Sequence, residues 1–211
     1  MPHFISIEGS DGAGKTTQAT RLVERLKAAG VAVLYIREPG GTPVGEDLRR
    51  VLKSGGDINP RSELLMFEAA RSEIVEKIIR PALSRGDVVV ADRFSDSSVA
   101  YQSYGRGLAV AEVRDMNRFA TGGLVPDLTI LLDMPAHDAL GRTADRDKGT
   151  AGAQRRFESE PDEFHRRVAD GYRKLAEAEP KRWRVLDASL AADQVAAAVW
   201  AVVAQRLALR Q

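Results

Sequence analysis

Short runs of consecutive apolar residues alternate along the chain with longer stretches in which apolar residues recur every three or four positions. The short runs predict strands over residues 4–8, 31–36, 88–91, 128–132 and 184–187. Continuous apolar runs are typical of strands that are buried on both faces of a parallel sheet. The alternation of strands and helices therefore predicts an α/β fold in three layers, a five-stranded parallel sheet flanked by helices.

The longer stretches predict the helices. The first begins at Lys15, and its apolar face consists of Ala19, Leu22, Val23 and Leu26. Further helices are predicted around residues 44–52, over 64–83 and over 192–209. Gly30 and the glycine pair at 55–56 are predicted to end the first two, because glycine adopts the left-handed conformation that commonly follows the last turn of a helix.

A length of 211 residues favours one domain, 1–211, that can bury its own core. Within it, residues 141–160 have little apolar periodicity, many charges and several small residues. Such a stretch is typical either of a disordered insertion or of a mobile lid. The residues alone favour the insertion, and a lid over 141–160 is the alternative.

Charge and composition exclude several classes of function. Lys and Arg number 31 against 30 Asp and Glu, and the net charge of +1 argues against broad contact with nucleic acid or an anionic membrane. The chain has no cysteine, which excludes disulfides, thiolate zinc sites and a cysteine nucleophile. No signal-peptide pattern opens the chain, and the longest apolar run near its end, 195–204, is too short to span a bilayer. We therefore expect a cytoplasmic protein.

One segment matches the phosphate-binding pattern G-x-x-x-x-G-K-[ST] without a mismatch. It is Gly9-Ser10-Asp11-Gly12-Ala13-Gly14-Lys15-Thr16, between a predicted strand and a predicted helix, as the pattern requires. Its glycines allow successive backbone N–H groups to point at phosphate oxygens, and the helix N-terminus adds a positive dipole end. We expect Lys15 to reach the β- and γ-phosphates of a nucleotide and the Thr16 hydroxyl to bind Mg²⁺.

Charged residues also follow two other predicted strands. Asp92 and Arg93 come directly after the third strand, at the edge where open α/β sheets bind their ligands. Asp92 can orient Mg²⁺ or its waters, and Arg93 can hold a phosphoryl group with two parallel hydrogen bonds. Asp133, at the end of the fourth strand, is the alternative carboxylate for magnesium.

Phe67 and Arg71 lie four residues apart and therefore on one face of a predicted helix. The spacing by itself favours a position in the core for Phe67. The alternative is a ring that faces a base, with the Arg71 guanidinium on the phosphate of the same ligand.

Together these residues resemble the thymidylate kinase family, in the nucleoside-monophosphate kinase group of P-loop proteins. The matching segments, in order, are 8–18, 37–42, 65–71, 92–94, 97–102, 104–107, 126–129 and 132–133. The resemblance extends from about residue 4 to residue 190, nearly the whole chain. It implies the P-loop NTPase fold with a mobile lid, transfer of the γ-phosphoryl group of ATP to dTMP with Mg²⁺, and a homodimer.

The resemblance also implies roles for individual residues at the acceptor end. Phe67 would stack on thymine, Ser98 and Gln102 would hydrogen-bond its edge, and Tyr101 would favour deoxyribose. Arg49, Arg71 and Arg93 would hold the monophosphate, Asp11 would lie near the 3′-hydroxyl and the transferring group, and Glu38 and Pro39 would shape the pocket.

At the donor end, the resemblance implies that ATP is bound by the loop from Gly9 through Thr17 and by the lid residues Arg142 and Arg156. Lys15, Asp11, Arg93 and Arg146 would be catalytic. Since positions 10–13 contain no arginine, the cation at the transferring group would come from the lid, and we expect it to be Arg146. Two departures from the family pattern, Ser103 in place of glycine and Arg155 in place of aspartate, affect the pocket and the lid.

Two other functions remain open from the residues alone. A deoxynucleoside kinase also has a P-loop and an Asp-Arg pair after a strand, but it would not need three arginines around a neutral sugar hydroxyl. A nucleotide-driven switch is the second alternative. The chain lacks the Asn-Lys-x-Asp guanine-binding pattern, which counts against a GTPase.

Overall fold

A parallel sheet of five strands forms the centre of the molecule. The computed structural model describes residues 3–54, 56–146 and 156–209, with the side chains of 143–146 outside that description. The strands are β1 (Phe4–Glu8), β2 (Val33–Arg37), β3 (Val88–Asp92), β4 (Leu128–Asp133) and β5 (Trp183–Asp187). Their spatial order is β2-β3-β1-β4-β5, and all four neighbouring pairs are parallel. This confirms the predicted fold class.

Helices connect the strands on both faces of the sheet. They are α1 (Lys15–Ala28), α2 (Pro43–Lys53), α3 (Pro60–Ile74), α4 (Arg80–Ser84), α5 (Ser95–Ser98), α6 (Val110–Thr121), α7 (Ala136–Arg146), α8 (Asp162–Ala178) and α9 (Ala192–Leu207). A π-helical segment, Val75–Ile79, joins α3 to α4, and a second one, Val99–Gly105, extends α5. None of the helices in the described ranges is long and apolar enough to cross a membrane.

The sheet separates two apolar layers because successive residues of each strand point to opposite faces. Ile5 and Ile7 of β1 pack with α1 and α9 on one face, whereas Phe4 faces the other side, against Phe94. The register pairs Ile7 with Asp92. The carboxyl ends of β1 and β3 therefore lie side by side, which brings the loop after β1 next to Asp92 and Arg93.

Two predicted boundaries differ from the structure for local reasons. The second strand begins at Val33 rather than at Val31, because the Val31 N–H donates to the Leu26 carbonyl and so still belongs to the end of α1. The helix predicted over 64–83 begins at Pro60, where the Asn59 side chain accepts a hydrogen bond from the Arg61 N–H.

Three helical regions were missed in the sequence. Residues 95–121 contain α5, the π-helical segment and α6, whose first turns bury small and polar residues rather than an apolar stripe. Helix α8 does bury an apolar stripe, with Phe164, Val168, Tyr172 and Leu175 on one face, and this periodicity was available in the sequence. Helix α7 extends to Arg146, so residues 141–146 of the segment expected to be a lid are helical.

Candidate active site

The loop after β1 takes the shape that its glycines allow. Gly9 has φ of +144°, and a Cβ there would lie 2.6 Å from the Leu132 carbonyl oxygen, so only glycine fits. Gly12 and Gly14 also have positive φ, at 85° and 90°. These conformations strongly favour glycine, and they curl the backbone ahead of the N-terminus of α1.

Lys15 lies inside this loop and is 7% exposed. Its ammonium group donates to the Ser10 carbonyl oxygen at 2.7 Å. Burial, followed by the charge of Arg93, lowers the pKa of Lys15 to about 8, although Asp11 and Asp92 act in the opposite direction. The lysine is therefore a cation at neutral pH, held at the place where an anion would bind.

Arg93 and Asp11 form a partly buried ion pair at the edge of the loop. The Arg93 guanidinium lies 2.6 Å from the Asp11 carboxylate, and the Tyr101 hydroxyl donates to the same carboxylate at 2.7 Å. Burial alone would raise the pKa of Asp11, but Arg93 and Lys15 outweigh it and hold that pKa well below its usual range. Asp11 is thus a carboxylate between two cations.

The backbone of Arg93 adopts φ of +74°, which is uncommon for a residue with a Cβ. Arg93 also donates to the Gly9 carbonyl and to the hydroxyls of Ser97 and Tyr172. Ser97 in turn donates to the fully buried carboxylate of Glu8 at 2.6 Å. The arginine is therefore fixed in direction by a network from β1, α5 and α8 that sequence reasoning did not identify, since nothing in the sequence indicates that Glu8, Ser97 and Tyr172 converge.

Thr16 and Asp92, the expected magnesium residues, lie together. The Thr16 hydroxyl donates to the Asp92 carboxylate at 2.5 Å. Asp133, the alternative, accepts two hydrogen bonds from Arg173 and does not reach the cavity. Within the described ranges, no group of three or more histidines or carboxylates could hold a metal by itself.

A cavity of about 850 Å³ opens beside the loop. Its wall contains residues 11–17 of the loop and α1, together with Asp92 and Arg93. It continues in one direction to Phe67 and in the other to residues 188–192 after β5. Gly9 and Ser10 lie behind this wall and shape the loop. The volume is in the range of pockets that enclose small-molecule ligands.

Six of the residues expected to form an acceptor pocket line the aromatic end of the cavity. Phe67, Ser98, Tyr101 and Gln102 all line it, as do Glu38 and Pro39. Phe67 is partly exposed on the wall, so the core position that its spacing favoured is wrong. The Phe157 ring, which was not singled out in the sequence, faces it with a centroid distance of 6.0 Å.

Three cations gather on the wall between this end and the loop. Arg49 was expected there, whereas Arg37 and Lys53 were not. Burial, and then the charge of Arg37, lowers the pKa of Arg49, and burial, and then Arg49, lowers that of Lys53. Cations that disfavour one another's charge in this way form a natural site for an anion.

Arg71 does not reach the cavity wall, contrary to expectation. It is 1% exposed, and its guanidinium contacts Glu38 at 2.9 Å and Glu68 at 2.5 Å. It also donates to Ser98 and Asn117 at 3.0 and 2.8 Å. Its guanidinium is therefore held among these side chains, behind Ser98, and not on the cavity wall.

The three expected lid arginines have different surroundings. Arg142 lines the cavity and donates to the Ala188 carbonyl at 2.9 Å. Arg156 does not line it, because its guanidinium pairs with the buried Glu63 at 2.5 Å. Its guanidinium is therefore directed at Glu63 in this structure rather than at the cavity. Arg146 ends α7, and its side chain lies outside the described residues, as do residues 147–155 of the expected lid.

A parallel sheet in this strand order, with a glycine-rich loop between β1 and α1 and a lysine at the loop's end, defines a P-loop nucleotide-binding protein. The family model for thymidylate kinase matches residues 7–199. A thymidylate kinase from Synechococcus sp. is 50% identical over 98% of this chain and 96% of the relative, and one from Deinococcus radiodurans is 48% identical over 96% and 97%. The crystal structure of thymidylate kinase from Ehrlichia chaffeensis superposes with a TM-score of 0.77 at 33% identity, covering 96% of this chain and 98% of that one. The chain belongs to the thymidylate kinase family.

Proposed function

We propose that this chain transfers the γ-phosphoryl group of ATP to the 5′-phosphate of dTMP within the 850 Å³ cavity, giving ADP and dTDP. The observation that carries the proposal is the layout of that cavity. A phosphate-binding loop lies at its centre, and a cluster of cations separates the loop from a pocket lined by an aromatic ring and hydrogen-bonding side chains. Two phosphate-bearing molecules can therefore meet there.

At the donor end, the backbone N–H groups of the loop and the Lys15 ammonium bind the phosphates of ATP. Thr17 follows on α1, and Arg142 lies beside residues 188–192, where the wall continues away from the acceptor pocket. We assign the adenosine part of ATP to that side of the cavity.

At the acceptor end, Arg93 and Arg49 hold the monophosphate, with Arg37 and Lys53 adding positive charge. This surplus of cations favours a phosphorylated acceptor over the neutral hydroxyl that a deoxynucleoside kinase would use. Phe67 stacks on thymine, Ser98 and Gln102 bind its edge, and Tyr101 and Asp11 lie against the sugar. Arg71 contributes from behind the wall, by orienting Ser98 and Glu38.

The residues present fit a magnesium ion. Thr16 and Asp92 offer a hydroxyl and a carboxylate oxygen on the wall beside Lys15, and Mg²⁺ is commonly held by one or two protein oxygens together with substrate phosphates and water. Bound by these two residues, it would neutralise charge on the β- and γ-phosphate oxygens.

Phosphoryl transfer requires positioning and charge stabilisation more than covalent chemistry. The Arg93 guanidinium pairs with Asp11, and the charge of Lys15 acts on the same carboxylate, so both cations are in place before substrates bind. We assign the remaining cation, which stabilises the transferring group, to Arg146 in the lid segment 141–160 of a single domain, 1–211.

We further propose a homodimer. Large apolar side chains are exposed on α3 and α6, two helices that pack together: Leu65 is 58% exposed and Phe119 is 86% exposed. Exposed apolar surface of this kind commonly marks a protein interface. A cytoplasmic location stays a prediction from the sequence.

Steady-state assays with dTMP, dUMP, thymidine and no acceptor test the proposed function. We expect ADP formation to depend on dTMP and to exceed that with dUMP by about tenfold to a few hundredfold in kcat/KM, the value of filling a methyl-sized space. Preference for thymidine would instead identify a nucleoside kinase, and acceptor-independent turnover would identify a nucleotide-driven switch.

A further inference from the structure

A fully buried carboxylate, Glu63 in the first turn of α3, lies directly behind the acceptor pocket. One of its oxygens accepts hydrogen bonds from the Gln102 amide nitrogen at 2.8 Å and from Arg106 at 3.2 Å. The other oxygen forms ion pairs with Arg106 at 3.2 Å and with Arg156 at 2.5 Å. None of the roles proposed for the acceptor pocket belongs to Glu63.

The Glu63 contact determines which way the Gln102 amide points. The oxygen and nitrogen of a glutamine amide can usually be exchanged without changing the shape of the side chain. A carboxylate that faces two guanidinium groups is an anion, and an ionised carboxylate only accepts hydrogen bonds. The NH₂ group of Gln102 must therefore face Glu63, and its carbonyl oxygen is left on the side of the cavity, which Gln102 lines.

A carbonyl oxygen on the cavity wall distinguishes between pyrimidines. It accepts a hydrogen bond from a ring N–H, such as the one that thymine carries at position 3. Cytosine and 5-methylcytosine carry a lone pair at that position, so the two acceptors would face each other without a proton between them. Sites built around such a hydrogen bond reject analogues that cannot form it far more strongly than apolar pockets reject a missing methyl group.

We propose that Glu63 is a positioning residue that makes the acceptor pocket selective for pyrimidines with an N–H at ring position 3. This rests on the proposed function, with dTMP as the acceptor. Glu63 acts through Gln102 and touches no substrate, and Arg106 and Arg156 keep its charge in place. The Glu63 side chain thus connects Gln102 in the base pocket with Arg156, which precedes α8.

The alternative role for Glu63 is purely structural. It would hold Arg156 and Arg106 against α3 without affecting which base is selected. The two roles have different effects on the ratio of kcat/KM for two substrates that differ in their base. Loss of folded enzyme lowers turnover of every substrate by the same factor, whereas a reoriented Gln102 changes the relative turnover of two bases. The matched substrates are dTMP and 5-methyl-dCMP, which share the sugar, the phosphate and the 5-methyl group.

The variant is Glu63→Gln, whose amide can donate as well as accept and so permits Gln102 to turn over. We expect the wild-type enzyme to prefer dTMP over 5-methyl-dCMP by on the order of 10³-fold or more in kcat/KM. We expect Glu63→Gln to reduce that preference by at least about tenfold. The control is Glu160→Gln, because Glu160 also pairs with Arg106, at 2.6 Å, but forms no contact with Gln102. It should leave the preference unchanged.

Glu63→Gln removes the carboxylate partner of Arg156, whereas Arg106 keeps Glu160. The double variant Glu63→Gln/Arg156→Gln therefore restores the charge balance and serves as a second test. An unchanged preference in either variant that still phosphorylates dTMP overturns the proposal. Loss of all dTMP turnover in both, with no gain for 5-methyl-dCMP, also overturns it, since Glu63 would then serve the fold alone. If the wild-type enzyme does not phosphorylate dTMP at all, the proposed function fails instead.

Discussion

The charged side chains around the cavity are already arranged for anionic ligands before any nucleotide binds. The charges of Arg93 and Lys15 both stabilise the Asp11 carboxylate, and the cavity wall as a whole carries six Lys and Arg side chains against four carboxylates. Anionic substrates complete this arrangement. Since the cations are already in position, little reorganisation is needed when charge develops during transfer.

Lys15 makes ATP use sensitive to pH in the alkaline range. Its pKa of about 8 means that it is charged below that pH and neutral above it. We expect kcat/KM for ATP, which reports the free enzyme, to be level below pH 8 and to fall by up to about tenfold per pH unit above it. A pH profile at saturating dTMP measures this. Lys15→Arg, which stays charged throughout, should lose the descending limb, and a wild-type profile that stays level to about pH 9.5 would contradict the assignment.

Arg49 and Arg50 are adjacent but lie in opposite environments. Arg49 lines the cavity, whereas the Arg50 side chain is 74% exposed and pairs with Asp47 at the surface. A charge-assisted hydrogen bond contributes about 1.5–3 kcal/mol, so Arg49→Ala should raise KM for dTMP by roughly tenfold to a hundredfold while KM for ATP changes little. Arg50→Ala is the control, with an expected change below about twofold. Equal effects of the two variants would remove Arg49 from the acceptor site.

At the scale of elements, the turn between β1 and α1 depends on packing against β4. A side chain at Gly9 would meet the Leu132 carbonyl oxygen, and φ there is unfavourable for any residue with a Cβ. The stability of the fold and the shape of the phosphate-binding loop therefore depend on the same close approach of Gly9 to the Leu132 carbonyl.

Gly9→Ala should lower the free energy of unfolding by at least about 2 kcal/mol, since both the strained backbone and the close contact contribute. Gly86→Ala is the matched control: Gly86 also has positive φ, at 90°, but a Cβ there meets nothing within 4 Å. We expect a loss of only about 1 kcal/mol at Gly86. Urea unfolding of both variants measures the difference. Equal losses of unfolding free energy would show that the contact with β4 does not contribute to stability.

The segment that starts in α7 carries the arginines expected to serve the transferring group. Arg142 contacts the Ala188 carbonyl and Arg156 contacts Glu63. We assign the role to Arg146 because the family pattern aligns it with the lid's inward-facing arginine. Arg146→Ala should lower kcat by on the order of 10³-fold with little change in KM for dTMP, because the contact forms mainly in the transition state. Arg142→Ala and Arg156→Ala, measured in parallel, should lower kcat less. If Arg146→Ala is the mildest of the three, the assignment is wrong.

At the scale of the whole molecule, the site is built from one edge of the sheet, and the exposed apolar residues of α3 and α6 lie outside it. Helix α3 also carries Phe67 and Glu63, so a partner that packs on α3 would rest on the same helix that forms the acceptor pocket.

Phe119→Glu tests whether α6 is part of a dimer interface. A buried charge at the centre of an interface costs enough to weaken a dimer by about thirtyfold or more. Sedimentation should show the wild-type chain as a dimer and the variant shifted towards monomer. Val185→Glu on β5 is the control, because Val185 is also exposed, at 52%, and lies away from α3 and α6. A wild-type monomer, or an equal shift in both variants, would contradict the proposed interface.

The sequence by itself determined the parts of this protein that depend on neighbouring residues along the chain. The apolar runs of the strands, the glycine pattern of the loop and the position of Asp92 and Arg93 at a strand end are local, and each was predicted correctly. Their spacing follows from strand and helix geometry and needs no knowledge of distant contacts.

Tertiary structure decided where the long polar side chains point. Arg71 and Arg156 matched the family pattern in sequence, yet Glu38, Glu68 and Glu63 draw their guanidinium groups away from the cavity wall. Arg37 belongs to the matching segment 37–42 but was assigned no role, and Lys53 had no distinguishing pattern. Only the packing of β2 and α2 brings them to the cavity. An arginine side chain has many rotamers of similar energy, so the charges that it meets in the folded state, from residues far away in the sequence, determine its direction.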